Sequence, residues 1–173
     1  GNVQVVNIPG AGGTIALGSV AQLDQPNTLM VGGTGQIAAQ IQFDTASVIA
    51  DVTPIARVVE EYALVTVPAD SPYQDLDELV QGWAENPAQL AWTGGGSFDQ
   101  LVMTDLALAA GIDPGQTTYI PSDGGGEAIQ ALLNGTAQAT AGGFADMHPQ
   151  IESGRLRGLG VGAPGPLEGV GVP

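Results

Sequence analysis

Apolar positions in this chain fall into short runs, divided by glycine- and proline-bearing turns and by stretches with helical spacing. Runs over residues 3–8, 28–31, 55–59, 62–67, 90–92, 117–120, 137–141 and 156–161 predict strands. Between them, Ile15, Leu17, Val20 and Leu23 mark one helical face over about residues 14–23. Leu76, Leu79, Val80 and Trp83 mark another, with Asp75 and Glu78 in capping-box spacing at its start and Asn86-Pro87 at its end. Val102, Leu106, Ala109 and Ala110 follow Ser97, which is placed to cap, and Gly111 stops that segment. Ala128, Ile129, Leu132 and Leu133 form a fourth face ending at Asn134-Gly135, and a short helix is expected over 149–153. Residues 39–50 show only weak helical periodicity. Strands alternating with helices predict an α/β fold whose sheet is mainly parallel and covered on both faces.

Two strand-to-helix junctions are rich in glycine: Thr93-Gly94-Gly95-Gly96-Ser97 and Ser122-Asp123-Gly124-Gly125-Gly126. A strand feeding a glycine turn into a helix start presents unpaired backbone N–H groups at the positive end of the helix dipole. That arrangement can hold an anion without a cationic side chain. A tight corner with no ligand role would use the same glycines.

Composition narrows the function. The net charge is −15, the only cations are Arg57, Arg155 and Arg157, and there is no lysine. Binding to nucleic acid or to an anionic bilayer needs clustered cations, so both are set aside. With no cysteine, disulfides and thiolate zinc sites are impossible. No apolar run of these residues reaches transmembrane length, and with no signal-peptide pattern among them any targeting segment is expected upstream. The abrupt opening in a strand and the ending at Val172-Pro173 suggest a fragment or a processed form.

Individual residues point to few chemistries. Gly33-Thr34-Gly35-Gln36-Ile37-Ala38 fits the G-x-G-x-x-A dinucleotide pattern, so an NAD- or nucleotide-binding enzyme domain using residues 33–38 is the alternative reading. It lacks the acidic partner about twenty residues on that the ribose would need. His148 is the sole histidine and reads as solvated or capping. Gly96-Ser97-Phe98 lacks the closing glycine of a nucleophile elbow. No D-x-D-x-D-G calcium loop is present. Arg57 is expected to pair with Glu60 or Glu61.

Three segments together resemble a known family. Val6-Asn7-Ile8-Pro9-Gly10-Ala11-Gly12-Gly13 is similar to the V-E-N-x-P-G-A-G-G signature of tripartite tricarboxylate transporter receptors, the Bug solute-binding proteins. Thr53-Pro54-Ile55-Ala56 with Val65-Thr66-Val67-Pro68-Ala69-Asp70-Ser71-Pro72-Tyr73 resembles their crossing strands. Gln150-Ile151-Glu152-Ser153-Gly154-Arg155-Leu156-Arg157-Gly158-Leu159 resembles the end of their second lobe.

The resemblance implies a type II periplasmic-binding-protein-like fold with two α/β lobes. Residues 1–59 would be part of the first lobe, 60–161 the second, and 162–173 the start of the return. The N-terminal strand–helix unit and the C-terminal part of the family's chain would be missing. It further implies a monomeric, non-enzymatic receptor that needs no cofactor or metal. Such a receptor takes a small organic carboxylate, a di- or tricarboxylate, to membrane transporter subunits. Its place would be periplasmic or otherwise extracytoplasmic, free or held as a lipoprotein. By position, Gly33, Thr34, Thr93, Gly95, Gly96, Ser97, Asp99, Ser122, Gly124 and Gly125 would meet the ligand. Gln100 stands where many members have His, Ser122-Asp123 where many have Tyr-Lys, and Gly142 where many have Asp. These departures imply fewer side-chain contacts and more backbone or water contacts.

Overall fold

The computed structural model describes residues 2–165 and 171–172. Its centre is a five-stranded sheet made of β1 (Ala63–Pro68), β2 (Ala91–Gly94), β3 (Thr118–Pro121), β4 (Ala139–Gly143) and β5 (Leu156–Val161), in the order β3-β2-β4-β1-β5. β2 runs parallel to β3 and to β4, whereas β1 is antiparallel to both of its neighbours, β4 and β5. The sheet is therefore mixed: a parallel half joined to an antiparallel half.

Side chains alternate across it, as a period of two requires. On one face Val65, Val67, Trp92, Ala139, Ala141 and Leu159 meet Leu79 and Trp83 of α3 (Leu76–Glu85) and Met103 and Ala107 of α4 (Ser97–Ala109). On the other, Leu64 and Leu156 meet Ile129 and Leu132 of α5 (Gly125–Leu133) and Met147 of α6 (Phe144–Glu152). Trp83 and Trp92 are fully buried, with ring centroids 4.7 Å apart. Arg157 donates to the carbonyls of Ala69 (2.6 Å), Tyr73 (2.9 Å) and Ser71 (3.2 Å), which pins the turn after β1.

The N-terminal part is helical where the sequence has glycine turns. A one-turn 3₁₀ segment (Ala11–Gly13) leads into α1 (Thr14–Ala21), and α2 (Thr34–Phe43) packs along α4. α2 starts earlier than the weak periodicity of residues 39–50 implied. The expected strands over 3–8, 28–31 and 55–59 are not formed. Val3, Val31 and Ile55 stand 92%, 82% and 77% exposed, and among the described residues these segments have no ladder partner. An alternating apolar pattern makes a strand only where another strand completes its hydrogen bonds. Ile15 and Leu23, expected to be buried on α1, are about half exposed for the same lack of a covering layer. Arg57 is exposed and makes no ion pair among the described residues. Glu61 serves a helix end instead. The expected return segment, 162–173, lies partly outside the described residues, at 166–170 and 173.

Candidate functional site

Because β2, β3 and β4 are parallel, their carboxyl ends open on one edge of the sheet. The helices that follow them, α4, α5 and α6, all begin there. This is the edge at which open α/β sheets bind ligands. Antiparallel β1 brings its beginning, with Glu61 and Tyr62, to the same edge, where Phe144 N–H donates to the Tyr62 carbonyl at 3.2 Å.

The edge faces the 10–13 turn across a cleft of about 180 Å³, lined by Ile8, Pro9 and the turn on one side and by Gly95, Gly96, Ser122 and Asp123 on the other. Gly10, Gly12 and Gly13 have φ of 116°, 61° and 87°, the left-handed range that glycine enters without steric cost. The turn has a firm seat. A Cβ at Gly12 would lie 2.7 Å from Ala39 Cβ and 2.9 Å from Ser97 Oγ. The opposite wall is tied by Ser122 N–H donating to the Gly94 carbonyl at 3.0 Å. Thr93 Oγ1 donates to the Ile120 carbonyl at 2.8 Å and shares a 3.0 Å hydrogen bond with Ser122 Oγ.

Carboxylates of the chain already hold several N–H groups at this edge. Asp99 Oδ2 accepts from Gly95 N–H at 2.7 Å, and Glu127 Oε2 from Asp123 N–H at 2.6 Å. Glu61 Oε1 accepts from Ala145 N–H at 3.1 Å. Away from the edge α3 uses the device of α4 and α5: Glu78 accepts from Gln74 N–H at 2.8 Å. In all three helices an acid in the first turn reaches back four residues. Among the described residues the N–H groups of Gly96, Ser97 and Phe98 at α4, and of Gly125 and Gly126 at α5, have no acceptor. Those are the donors left for a ligand.

Burial pushes the Asp99 carboxyl up to about 6, the Gly95 N–H works against this, and Asp146 and Glu61 raise it further by like charge. Burial foremost, and then Glu61, also raises Asp146. Tyr119, whose hydroxyl donates to the Gly96 carbonyl at 3.5 Å, is raised by burial and by Asp99. Among the described residues no cation lines the cleft.

Of the residues singled out in the sequence, Gly95, Gly96 and Ser122 come together on the cleft wall. Thr93 and Asp99 brace that wall from behind, and Gly124 and Gly125 open α5 beside it. Thr34 and Ser97 instead line a second, apolar groove of about 360 Å³ between α2 and α4, with Ile37, Ile41 and Leu101, and Gly33 precedes it at the start of α2. Ser97 does not cap α4: its Oγ donates to Gln42 Oε1 at 2.8 Å, and Gln42 Nε2 donates to Gln100 Oε1 at 2.9 Å. A Cβ at Gly142 would meet Met147 Cε at 2.6 Å, so this position is filled by packing. In the sequence, residues 9–13 read as a turn into a helix and as part of a family signature. That they form the facing wall depends on their contact with α2 and α4, which no local pattern records.

The competing chemistries lose their geometry. Residues 34–38 of the pattern already lie inside α2 and residues 28–31 before it form no strand, so the turn that would cradle a pyrophosphate is absent. His148 lies inside α6, stacked on Phe144 at 4.8 Å and 3.8 Å from Glu152, while Ser97 is paired with a glutamine. Among the described residues no three metal-ligating side chains converge, and no helix is long and apolar enough to cross a membrane.

Comparison with known proteins agrees with this architecture. The chain is 29% identical over 160 residues to the UPF0065 protein in the gbd 5′ region of Cupriavidus necator, covering 90% of this chain and 47% of that protein. It is 25% identical over 162 residues to the UPF0065 protein in the tcbD–tcbE intergenic region of Pseudomonas sp. (strain P51), covering 92% of this chain and 48% of that one. The chain thus spans about half the length of the curated relatives it matches. Among solved structures, MatC from Rhodopseudomonas palustris with bound malate superposes with a TM-score of 0.77 at 25% identity, over 90% of this chain and 54% of that one. A TctC solute binding protein from Polaromonas shares the fold, with a TM-score of 0.64 at 23% identity over 95% of this chain and 57% of that one. The family model described as tripartite tricarboxylate transporter family receptor matches residues 1–164. The α/β fold is that of periplasmic solute-binding proteins, and the chain belongs to the tripartite tricarboxylate transporter receptor family, a family of receptors and not of enzymes.

Proposed function

We propose that this chain belongs to an extracytoplasmic solute-binding receptor that captures a small organic carboxylate and delivers it to membrane transporter subunits. Residues 1–59 are then part of the first lobe, 60–161 the second lobe, and 162–173 the start of the return. The observation that carries the reading is the cleft of about 180 Å³, where a left-handed glycine turn faces two helix starts that, among the described residues, have free N–H groups and no cation. A carboxylate there meets the N–H groups of Gly96, Ser97, Gly125 and Gly126, with Ser122 beside it on the wall. Thr93, Asp99 and Gly124 hold the wall.

Asp99 keeps Gly95 N–H for itself, so Gly95 contributes close approach in place of a donor. Each charge-assisted hydrogen bond is worth about 1.5–3 kcal/mol, and the helix dipole adds about 0.3–1 kcal/mol at contact range. The average field of a chain at −15 opposes an anion, but at physiological salt it is screened beyond about 8 Å. The bound malate of MatC supports the ligand class and makes L-malate the first probe. The test is calorimetric titration of the purified chain with L-malate, succinate, citrate and NAD. Saturable heat with one of the carboxylates and none with NAD is expected. Binding of NAD alone would overturn the proposal.

A further inference from the structure

We propose that Gln36 is a positioning residue, whose carboxamide fixes the 10–13 turn at the distance from the α4 start that a bound carboxylate needs. The inference rests on the receptor reading above. Gln36 sits on the first turns of α2, only 7% exposed. Its Nε2 donates to the Gly13 carbonyl at 3.2 Å. The side chain lies directly under the turn: a Cβ at Gly13 would fall 2.8 Å from Gln36 Cγ and 2.9 Å from Nε2. On its other side a Cβ at Gly32, just before the Gly33–Thr34 start of α2, would run into the amide oxygen, which finds no hydrogen-bond donor among the described residues.

A buried amide oxygen left without a donor costs about 1–3 kcal/mol, so stability alone favours an apolar side chain of the same length. What the glutamine provides instead is a fixed point. Gly13 ends the cleft wall and begins α1, a helix with no side-chain cap at its start. Ala39, nearly one turn beyond Gln36, takes the weight of Gly12, and Ser97 meets Gly12 from α4. Within itself the turn is held by Gly13 N–H donating to the Gly10 carbonyl at 3.0 Å and by Thr14 Oγ1 donating to the Ala11 carbonyl at 2.8 Å, but among the described residues the Nε2 bond is the hydrogen bond that ties it to α2 and so sets its distance from the α4 start. The backbone of Gln36 is itself held, since Gln40 Nε2 donates to the Gln36 carbonyl at 3.0 Å and Gln40 Oε1 accepts from Ile49 N–H at 2.9 Å.

The test is Gln36→Met in the purified chain, which keeps length and volume and removes both polar atoms. The melting temperature should stay level or rise, because the unpaired oxygen is gone. Affinity for L-malate should fall at least tenfold, and amide hydrogen exchange at Gly12 and Gly13 should quicken. A merely structural glutamine would lower stability and affinity together, so that outcome, or a variant that fails to fold, overturns the inference. Wild-type affinity in Gln36→Met overturns it as well. The exchange readout needs no ligand. If the wild-type chain binds no carboxylate, the receptor reading fails, while unchanged exchange at Gly12 and Gly13 separately refutes the role of Gln36.

Discussion

The two central glycines of the cleft wall differ physically, and substituting each separates architecture from binding. A Cβ at Gly95 would lie 2.5 Å from Gly124 C and Gly125 N and 2.9 Å from Gly124 Cα. Those are backbone atoms at the start of α5, and they sit about 1 Å inside the ~3.5 Å at which carbon atoms rest. Neither loop can swing aside without breaking the hydrogen bond from Ser122 N–H to the Gly94 carbonyl. Overpacking of this kind costs about 1–3 kcal/mol, and in a chain of this size each kcal/mol moves the melting temperature by about 2–4 °C. Gly95→Ala should therefore melt about 2–12 °C lower. A Cβ at Gly96, by contrast, meets nothing within 4 Å, and its φ of 167° is extended backbone open to any residue. Gly96→Val should change stability by no more than about 0.5 kcal/mol. Its methyls stand in the cleft and deny a ligand at least one N–H, a loss of about 1.5–3 kcal/mol, or about ten- to a hundredfold in affinity. Differential scanning calorimetry and titration with L-malate read the two effects. Wild-type affinity in Gly96→Val, or wild-type stability in Gly95→Ala, would refute the reasoning.

Two further outcomes follow from groups outside the cleft. With Asp99 raised to about 6 from an ordinary 3.8, the folded state holds a proton that the unfolded state releases, so stability falls as pH rises from about 4 through 6, by at most about 3 kcal/mol. Urea unfolding at pH 4.5 and 7.5 should show this slope in the wild type and a flatter one in Asp99→Asn; equal slopes would contradict the burial of the charge. Arg157→Gln should lower the melting temperature by several degrees through loss of charged hydrogen bonds to three carbonyls, with affinity unchanged, and a loss of affinity there would move the site.

Much of the second half of the chain is legible in its sequence because its elements complete one another. Leu79 and Trp83 of α3 and Ile129 and Leu132 of α5 have a sheet to pack on, so their periodicity and their burial coincide. Residues 3–8, 28–31 and 55–59 carry an equally good strand pattern and remain unpaired, since a pattern specifies a face and not a partner. α6 begins at Phe144, five residues before Pro149, because Glu61 accepts from the N–H of Ala145 at its start; proline suggested a helix start there and instead lies inside the helix.

At the site, the glycine junctions were visible, but the allocation of their N–H groups was not. An acid in the first helical turn is a cue for reciprocal capping, and Asp99 four residues after Gly95 and Glu127 four after Asp123 both fit it. Gln36 and its hold on Gly13 lie 23 residues apart, and only the fold brings them together.

A carboxylate held in the cleft between the 10–13 turn and the starts of α4 and α5 touches backbone on both walls. Backbone amide resonances followed through the L-malate titration test this most directly. Saturable shifts at Gly12, Gly13, Gly96, Ser97 and Gly125, with Ile41 and Leu101 unmoved, are the predicted result. Shifts confined to the apolar groove between α2 and α4, with Gly96 and Gly125 unchanged, would contradict it.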